Sequence, residues 1–323
     1  KAMPSCAGQQ RGSKVSIQID FETTFGSDPG APAGIQIPYI NESLTGNRSQ
    51  NQSEVIDGSK NPTAPFQGNT DVAGDITVPI DQRYFAYWVK ALLGPPTTSG
   101  AGPFTHVFKV DDTICNPSMV VQKDFSDIPR FFKYNGVKIA SMSMSIGGDG
   151  EPQATFSLVG ASVSDGAVDY DASPTTHVLE MFRPTLDVTL NEGGSASAEF
   201  TELSIDVDSN LDTDTYAIGG GGDRTAIADG VYSMGGSGVI LFDNMTLYDK
   251  GKNATESSIE VAYARGASSL TIDFNEIEYG QNSPVVSGNE GVNLNMDWIA
   301  YDGDDAANSA MVVTIVNDVA SYA

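Results

Sequence analysis

The clearest pattern of hydrophobic and polar positions lies in residues 72–96, VAGDITVPIDQRYFAYWVKALLGPP. Hydrophobic side chains occupy every second position at Ile76, Val78 and Ile80, and this period of two predicts a strand with one buried face. Pro79 has no backbone N–H to donate, so the strand is expected at the edge of a sheet.

Directly after this strand, the spacing of the large side chains changes to that of a helix. Asp81 is placed to cap the helix, and Gly94, followed by two prolines, is placed to end it. An ordinary core helix is expected. Its predicted buried face consists of Tyr84, Phe85, Trp88 and Leu92.

Shorter alternating runs predict more strands around this segment. Residues 15–21 form the first, and residues 137–146 and 153–159 are predicted to form a hairpin. The hydrophobic phase slips within 137–146, which predicts a β-bulge near Ala140. Further strands are predicted near 104–110 and 118–123.

A long polar stretch, residues 41–71, precedes the strand and helix of residues 72–96. Loops of this length inside compact domains are usually functional or partly disordered. Residues 160–184 are predicted to connect two halves of the chain.

Two strands are predicted early in the second half, at 186–190 and 201–208. The first is expected to turn Leu186, Val188 and Leu190 inward, and the second Leu203, Ile205 and Val207. The opposite face of the second strand then presents Glu202, Ser204, Asp206 and Asp208. Such an acidic face is either simply solvated or lines a passage for a polyanion.

Two stretches of the second half resemble stretches of the first at constant offsets. Gly74, Val78, Ile80 and Asp81 match Gly236, Ile240, Phe242 and Asp243 at an offset of 162. Phe156 and Leu158 match Met296 and Trp298 at an offset of 140, so the second copy is 22 residues shorter between these points. A duplicated domain is therefore expected, with residues 1–164 and 165–323 as its copies and a reduced helix in the second.

Composition favours a mainly β chain, because glycine is abundant and good helix formers are sparse. The net charge is −25, and it is distributed unevenly. Residues 1–164 carry 12 basic and 15 acidic side chains, whereas residues 165–323 carry 5 and 27, giving −3 and −22. Such a field repels phosphate, which argues against tight nucleic-acid binding through basic patches.

Motifs for catalysis, cofactors or metals are missing. His106 and His177 have no catalytic pattern near them, and the glycines of GGGGDR at 219–224 lack the context of a phosphate loop. Cys6 and Cys115 are too few for a disulfide framework. The alternating acids from Asp206 to Asp214 fail as an EF-hand, because Leu211 stands where glycine is needed and Ala217 where glutamate is needed. No enzyme activity and no cofactor are expected.

The chain is also expected to be soluble and not inserted into a membrane. No apolar run approaches the roughly 20 residues that span a bilayer, and no basic-then-apolar start indicates a signal peptide.

The order of these segments resembles that of the two-domain tail tube proteins of long-tailed bacteriophages. In the first half, the resemblance rests on FETTFGSDPG, IPYINESL, VAGDITVPID, the helix ending KALLG, NGVKIASMSMSIGG and ATFSLVG. In the second half, it rests on ELSIDVDSNLD, MGGSGVILFDN, SGNEGVNLNMDWIAY and MVVTIVND.

The resemblance implies two related β-sandwich or barrel-like domains, the first with one well-formed helix. It also implies a structural virion protein whose chains form rings, trimeric with pseudo-sixfold symmetry, that stack into a hollow tube for genome ejection. Edge strands would pair across subunits into a continuous inner barrel, which removes exposed sheet edges. The duplicated form leans toward a non-contractile tail.

By the same resemblance, the loop at 41–71 reaches the next ring. The implied ring-stacking residues are Asn47, Arg48, Gln50, Glu54, Val55, Ile56, Asp57 and Phe66. The candidate lumen-facing acids are Asp75, Glu202, Asp206 and Asp208, past which double-stranded DNA would slide without specific binding.

Implied partners are further copies of the chain and the tape-measure, tail terminator and tail tip proteins. Assembly in the cytoplasm of the host bacterium is implied as well. The alternative is an extracellular, Asp-rich β-sandwich adhesin or carbohydrate-binding module stabilised by Ca²⁺.

Overall fold

The computed structural model describes residues 10–56, 58–111, 113–197, 199–286 and 288–322. Within these ranges the chain is mainly β and adopts a β-sandwich type of architecture. Its helices are α1 (Phe85–Leu93), α2 (Thr246–Lys252) and a 3-10 turn at Gly12–Lys14. None of the described helices is long and apolar enough to cross a membrane.

Of the strands in the described residues, eleven lie in the first part of the chain. They are β1 (Val15–Phe21), β2 (Ile35–Ile37), β3 (Asn41–Glu42), β4 (Thr45–Asn51), β5 (Phe66–Pro79), β6 (Thr97–Ser99), β7 (Phe104–Lys109), β8 (Met119–Phe125), β9 (Arg130–Gly147), β10 (Gln153–Gly160) and β11 (Ser162–Gly166).

Eight more strands follow. They are β12 (Val188–Glu192), β13 (Ser195–Ala196), β14 (Phe200–Asp208), β15 (Ser233–Leu241), β16 (Ser257–Arg265), β17 (Ser268–Tyr279), β18 (Asn293–Ala300) and β19 (Val312–Asn317).

Strand β9 belongs to both sheets of the first half. Its residues 130–137 pair with β8, and residues 131–135 also pair with β11. Residues 138–144 pair with β10. The register shifts where Ser157 pairs with Ser141 but Leu158 pairs with Ile139, which leaves Ala140 without an opposite residue. This confirms the predicted bulge, and such a bulge bends the strand between the two sheets.

The second of these sheets continues into the second half of the chain. β9 pairs with β14, β14 with β15, and β15 with β18, all antiparallel. One sheet face therefore extends across β5, β10, β9, β14, β15 and β18. The last strand, β19, pairs with both β17 and β7, so the end of the second half is tied to the first half.

The strand predicted to lie at an edge is an interior strand. β5 pairs with β10 on one side and with β3 and β4 on the other. Pro79 is tolerated because it is the last residue of β5, beyond the residues that pair with β3.

Helix α1 begins and ends as predicted but is buried on every side. Asp81 accepts the backbone N–H groups of Arg83 at 3.0 Å, Tyr84 at 3.0 Å and Phe85 at 2.8 Å. All its residues from Phe85 to Leu93 are buried, so it is a core helix as predicted, and its burial extends beyond the predicted face. The Trp88 ring stacks on Phe156 at 5.3 Å, which joins the helix to β10.

Three other predictions about local structure need correction. Residues 41–71 are not one loop, because β4 pairs with the start of β5 as a hairpin. Residues 160–184 contain β11 and are not only a connection. Leu186 is 73% exposed, because β12 begins only at Val188.

The pairing registers of the two halves repeat. Gly74 lies opposite Leu158, and Gly236 lies opposite Trp298, which are the same positions shifted by 162 and 140. α2 follows β15 as α1 follows β5, but it is shorter, and Leu247 is its one buried residue. This agrees with the reduced second helix expected from the sequence.

Candidate functional site: a polar sheet face and a projecting hairpin

The first feature of interest is the exposed face of the continuous sheet, which we call the polar sheet face. Strand β14 shows how it arises, because Leu203, Ile205 and Val207 are at most 1% exposed while alternate residues point the other way. A period of two places every exposed side chain of a strand on one face. The exposed acids of β14 are Glu202, Asp206 and Asp208.

Cross-strand pairs connect these acids into rows with residues of the first half. One row is Asp75, Ser157, Ser141 and Asp208, each opposite the next on neighbouring strands. Ser157 donates its hydroxyl to Asp75 Oδ1 at 2.6 Å. The structure therefore places Asp75 and Asp208 on the same face although they come from different halves.

A parallel row contains mostly hydroxyl side chains. It runs through Thr77, Thr155, Ser143 and Asp206. The hydroxyls of Thr77 and Thr155 lie 3.0 Å apart and hydrogen-bond to each other. Ser143 and Asp206 of this row are exposed and Thr155 is half-buried, whereas Thr77 is buried.

The polar sheet face carries carboxylates and exposes no lysine or arginine. Asp297 of β18 joins the four predicted acids, and all five are exposed. The one basic residue of the six strand segments is Lys138, which is 5% exposed and donates to Asp229 Oδ1 at 2.9 Å. The segments are 66–79, 138–147, 153–160, 200–208, 233–241 and 293–300. Since phosphate is bound chiefly by lysine and arginine, this face offers a polyanion no site at which to attach.

The second feature is the hairpin of β4 and β5, whose strands contain four of the eight predicted stacking residues. Asn47 lies opposite Asp71 and Gln50 opposite Gln67, and Arg48 lies between them on β4. Phe66 begins β5 and is 56% exposed.

The remaining stacking candidates lie in the segment that joins the two strands. Glu54, Val55 and Ile56 are all exposed, Val55 to 67% and Ile56 to 98%. Asp57 lies outside the described residues. Adjacent exposed apolar side chains at the end of a projection are typical of an interaction surface.

A loop of the second half contacts the base of this hairpin, and the sequence pattern did not predict this contact. Arg48 Nε donates to Thr70 Oγ1 at 2.7 Å, and its Nη2 donates to Gly221 O at 3.0 Å. The backbone N–H of Thr70 donates to Gly222 O at 2.7 Å. The glycine-rich segment predicted to be a plain loop is therefore a partner of the hairpin.

Arg224 is the central residue of this contact. Its guanidinium donates to Gly160 O at 2.8 Å, to Thr213 O at 2.7 Å and to Asp71 Oδ1 at 2.6 Å. The ring of Tyr216 lies 5.3 Å from the guanidinium carbon. The one sequence signal was that Arg224 is among only 5 basic residues in a half with 27 acids.

An acidic pair lies apart from these two features, on β16 and β17. Glu260 and Asp273 are directly opposite each other. Burial, and then the neighbouring Glu260 carboxylate, raise the pKa of Asp273 to about 6.

The remaining residues singled out in the sequence are the possible metal ligands and the two cysteines. Asp208 and Asp212 accept backbone N–H groups within their own turns. Among the described residues, no group of three or more His, Cys, Asp or Glu side chains could hold a metal ion. Cys115 is exposed with a free thiol, and Cys6 lies outside the described residues.

Both histidines are part of the packed structure. His106 bonds to Thr98 Oγ1 at 2.8 Å and to Val319 O at 2.9 Å, and burial lowers its pKa. His177 Nε2 lies 3.0 Å from the hydroxyl of Tyr87, and burial lowers the pKa of this histidine too.

Comparison with known proteins adds one finding. A family model described as phage tail tube protein matches residues 12–300 of the chain. No curated protein matches the chain significantly. The family match includes the polar sheet face, the hairpin and the loop that grips it.

Proposed function

The chain belongs to the phage tail tube protein family, and from that premise we propose that it assembles into stacked rings whose channel conducts the phage genome. The observation that carries this proposal is the polar sheet face, which crosses both halves of the chain without an exposed lysine or arginine. A conduit for DNA needs a long surface of this kind, because basic side chains would hold the phosphates in place.

In this proposal the polar sheet face lines the channel. The carboxylates that then face the DNA are those of Asp75, Glu202, Asp206 and Asp208, and Asp297 joins them as a fifth residue facing the channel. Their carboxylates are exposed and repel phosphate, while serine and threonine hydroxyls keep the surface wetted. DNA would move past without specific binding.

We propose that each ring contains three chains and has pseudo-sixfold symmetry. The support is the repeated register, in which Gly74 and Gly236 have equivalent partners in Leu158 and Trp298. Residues 1–164 and 165–323 are then two copies of one domain. Alternating copies around a ring give six similar positions, with α1 at three of them and the smaller α2 at the others.

The hairpin is proposed to contact the next ring. Val55, Ile56 and Phe66 supply exposed apolar contacts. Arg48, through Gly221 O, and Arg224, through Asp71, fix the base of the hairpin to the second half. A projection held firmly at its base loses less conformational entropy when it binds.

The chain has a structural role in the virion, and we assign it no catalytic step. Proposed partners are other copies of the chain, the tape-measure, terminator and tip proteins, with assembly in the host cytoplasm. The duplicated form leans toward a non-contractile tail. The family match gives no support to the alternative of a Ca²⁺-stabilised adhesin or carbohydrate-binding module.

A shortened hairpin tests the stacking role. Deleting residues 45–68 would also remove β4, so a sharper change replaces residues 52–65 with Asn-Gly. Asn51 and Phe66 are directly opposite, and Asn-Gly is a preferred two-residue hairpin turn. We expect single rings without tubes in electron micrographs.

The matched control is Val168→Ser, which changes an 83% exposed valine outside the hairpin and should leave tubes intact. Tubes of normal length from the shortened variant would refute the stacking role, and an unmodified protein that never forms rings would refute the proposed function.

A further inference from the structure

The join between the two halves is itself a strand pairing between two equivalent units. Residues 141–147 of β9 lie opposite β14, with Ser143 opposite Asp206 and Ser141 opposite Asp208. The last strand of the polar sheet face in one half thus pairs with the first strand of that face in the other half.

Both strands of this join have counterparts at the two ends of the sheet. Leu203 pairs with Gly238 as Glu42 pairs with Ile76, so β14 corresponds to β3 and β4 at an offset of 161. Leu44 is buried between two exposed residues, and Ile205 is buried between the half-buried Ser204 and the exposed Asp206, so the burial patterns are similar.

The other strand is matched in the same way. Tyr279 lies opposite Trp298 as Ile139 lies opposite Leu158, so the segment after β17 corresponds to the end of β9 at an offset of 140. Residues 281–286 are therefore the counterpart of residues 141–146.

β14 and residues 141–146 pair with each other, but their counterparts, β3 with β4 and residues 281–286, have no such partner. In the described part of the chain, no strand pairs with the outer edge of β3 and β4, and residues 281–286 belong to no strand. Val286 is 73% exposed, whereas its counterpart Ile146 is 7% exposed. Open strand edges and exposed valines of this kind favour pairing with another chain.

We propose that residues 281–286 of one chain pair antiparallel with residues 42–47 of a second copy, in the register of the internal join. Shifting the pair of Asp206 and Ser143 by the two offsets places Thr45 opposite Ser283. The same shift places Asn47 opposite Gln281 and Glu42 opposite Val286. The proposal rests on the proposed ring and specifies which residues close it.

The side chains at this join fit the register. Pro284 has no backbone N–H and comes opposite Leu44, whose carbonyl oxygen already accepts from Lys123 Nζ and from Tyr134 OH. The segment QNSPVV carries no charge that would meet Glu42 unfavourably. Residues 281–286 become a strand only when the second copy is present.

Disulfide trapping tests the register in chains whose native cysteines are replaced by serine. Directly opposite residues of an antiparallel pair have Cα atoms about 4.5 to 5.5 Å apart, within disulfide range, while diagonal neighbours are about 7 to 8 Å apart. Thr45→Cys with Ser283→Cys is the test pair. Thr45→Cys with Gln281→Cys, displaced by two residues, is the matched control.

After oxidation of assembled protein, the test pair is expected to give at least about tenfold more covalently linked chains on a non-reducing gel than the displaced pair. The internal pair Ser143→Cys and Asp206→Cys reports the same geometry within one chain and should link without changing the chain count. Rings of the unmodified and reduced proteins are checked by electron microscopy in the same samples.

The proposed register would be overturned if, in assembled rings, the internal pair forms its disulfide but the test pair links no more chains than the displaced pair. The proposed function would still stand. Absence of rings from the unmodified protein would overturn both. If the test pair blocks assembly under reducing conditions, Asn47→Cys with Gln281→Cys decides by the same criterion.

Discussion

Replacing Arg224 with alanine measures how strongly the loop of the second half is held against the first half at the base of the hairpin. The side chain is 8% exposed and donates to two backbone carbonyls, Gly160 O and Thr213 O. Each bond from a charged donor to a buried acceptor contributes about 1.5 kcal/mol. The ion pair to Asp71 adds less than about 0.5 kcal/mol, because the Asp71 carboxylate is 65% exposed. Arg224→Ala should therefore lower the free energy of unfolding by about 3 kcal/mol.

Urea denaturation of dispersed subunits gives this quantity directly, with Asp71→Asn as the matched control. The control removes the ion pair but keeps both carbonyl contacts, so its cost should stay below about 0.5 kcal/mol. Equal costs for Arg224→Ala and Asp71→Asn, or a cost below about 1 kcal/mol for Arg224→Ala, would refute the reasoning that the carbonyl contacts hold this loop at the base of the hairpin.

Three further changes test other parts of the fold. The raised pKa of Asp273, at about 6, means that its contribution to stability falls as pH rises from about 4 through 6. In thermal denaturation, Asp273→Asn should then be about 1 kcal/mol more stable than the parent at pH 8, a figure that allows for the partial exposure of the side chain. Near pH 4 the two proteins should be equally stable. The same stability difference at both pH values would contradict this. Asp81→Ala, which removes the acceptor for three backbone N–H groups of α1, should cost about 1 to 2 kcal/mol in urea titrations, and Asp81→Asn less. Trp88→Ala should cost about 3 to 5 kcal/mol because the ring is fully buried against Phe156, and a loss below about 1 kcal/mol would contradict that packing.

Local patterns predicted the elements whose signals lie within a few residues. Asp81 at the start of α1, the bulge at Ala140 and the alternation of β14 were all readable, because capping, phase and period are local properties. Strand β4 was missed because its sequence, TGNRSQN, has low β-propensity and is a strand only through its pairing with β5.

The candidate site likewise has some features that local sequence patterns predict and others that depend on long-range contacts. The four predicted acids do share one exposed face, since the period of each strand decides which side chains point outward. The contact of Arg224 with the hairpin could not be predicted, because the Asp71 carboxylate is 153 positions away in the chain and the Gly160 carbonyl is 64 positions away, beyond the reach of any local pattern. The equal registers of the two halves likewise depend on long-range pairing, although the offsets of 162 and 140 were visible beforehand.

The central claim is that the polar sheet face lines a channel made by this chain alone. Electron cryomicroscopy of the assembled protein tests it most directly. We expect stacked rings of three chains in which Asp75, Asp206 and Asp208 face the central channel and α1 lies outside the inner wall. Rings that turn this face outward, or a protein that stays monomeric under all assembly conditions, would contradict the account.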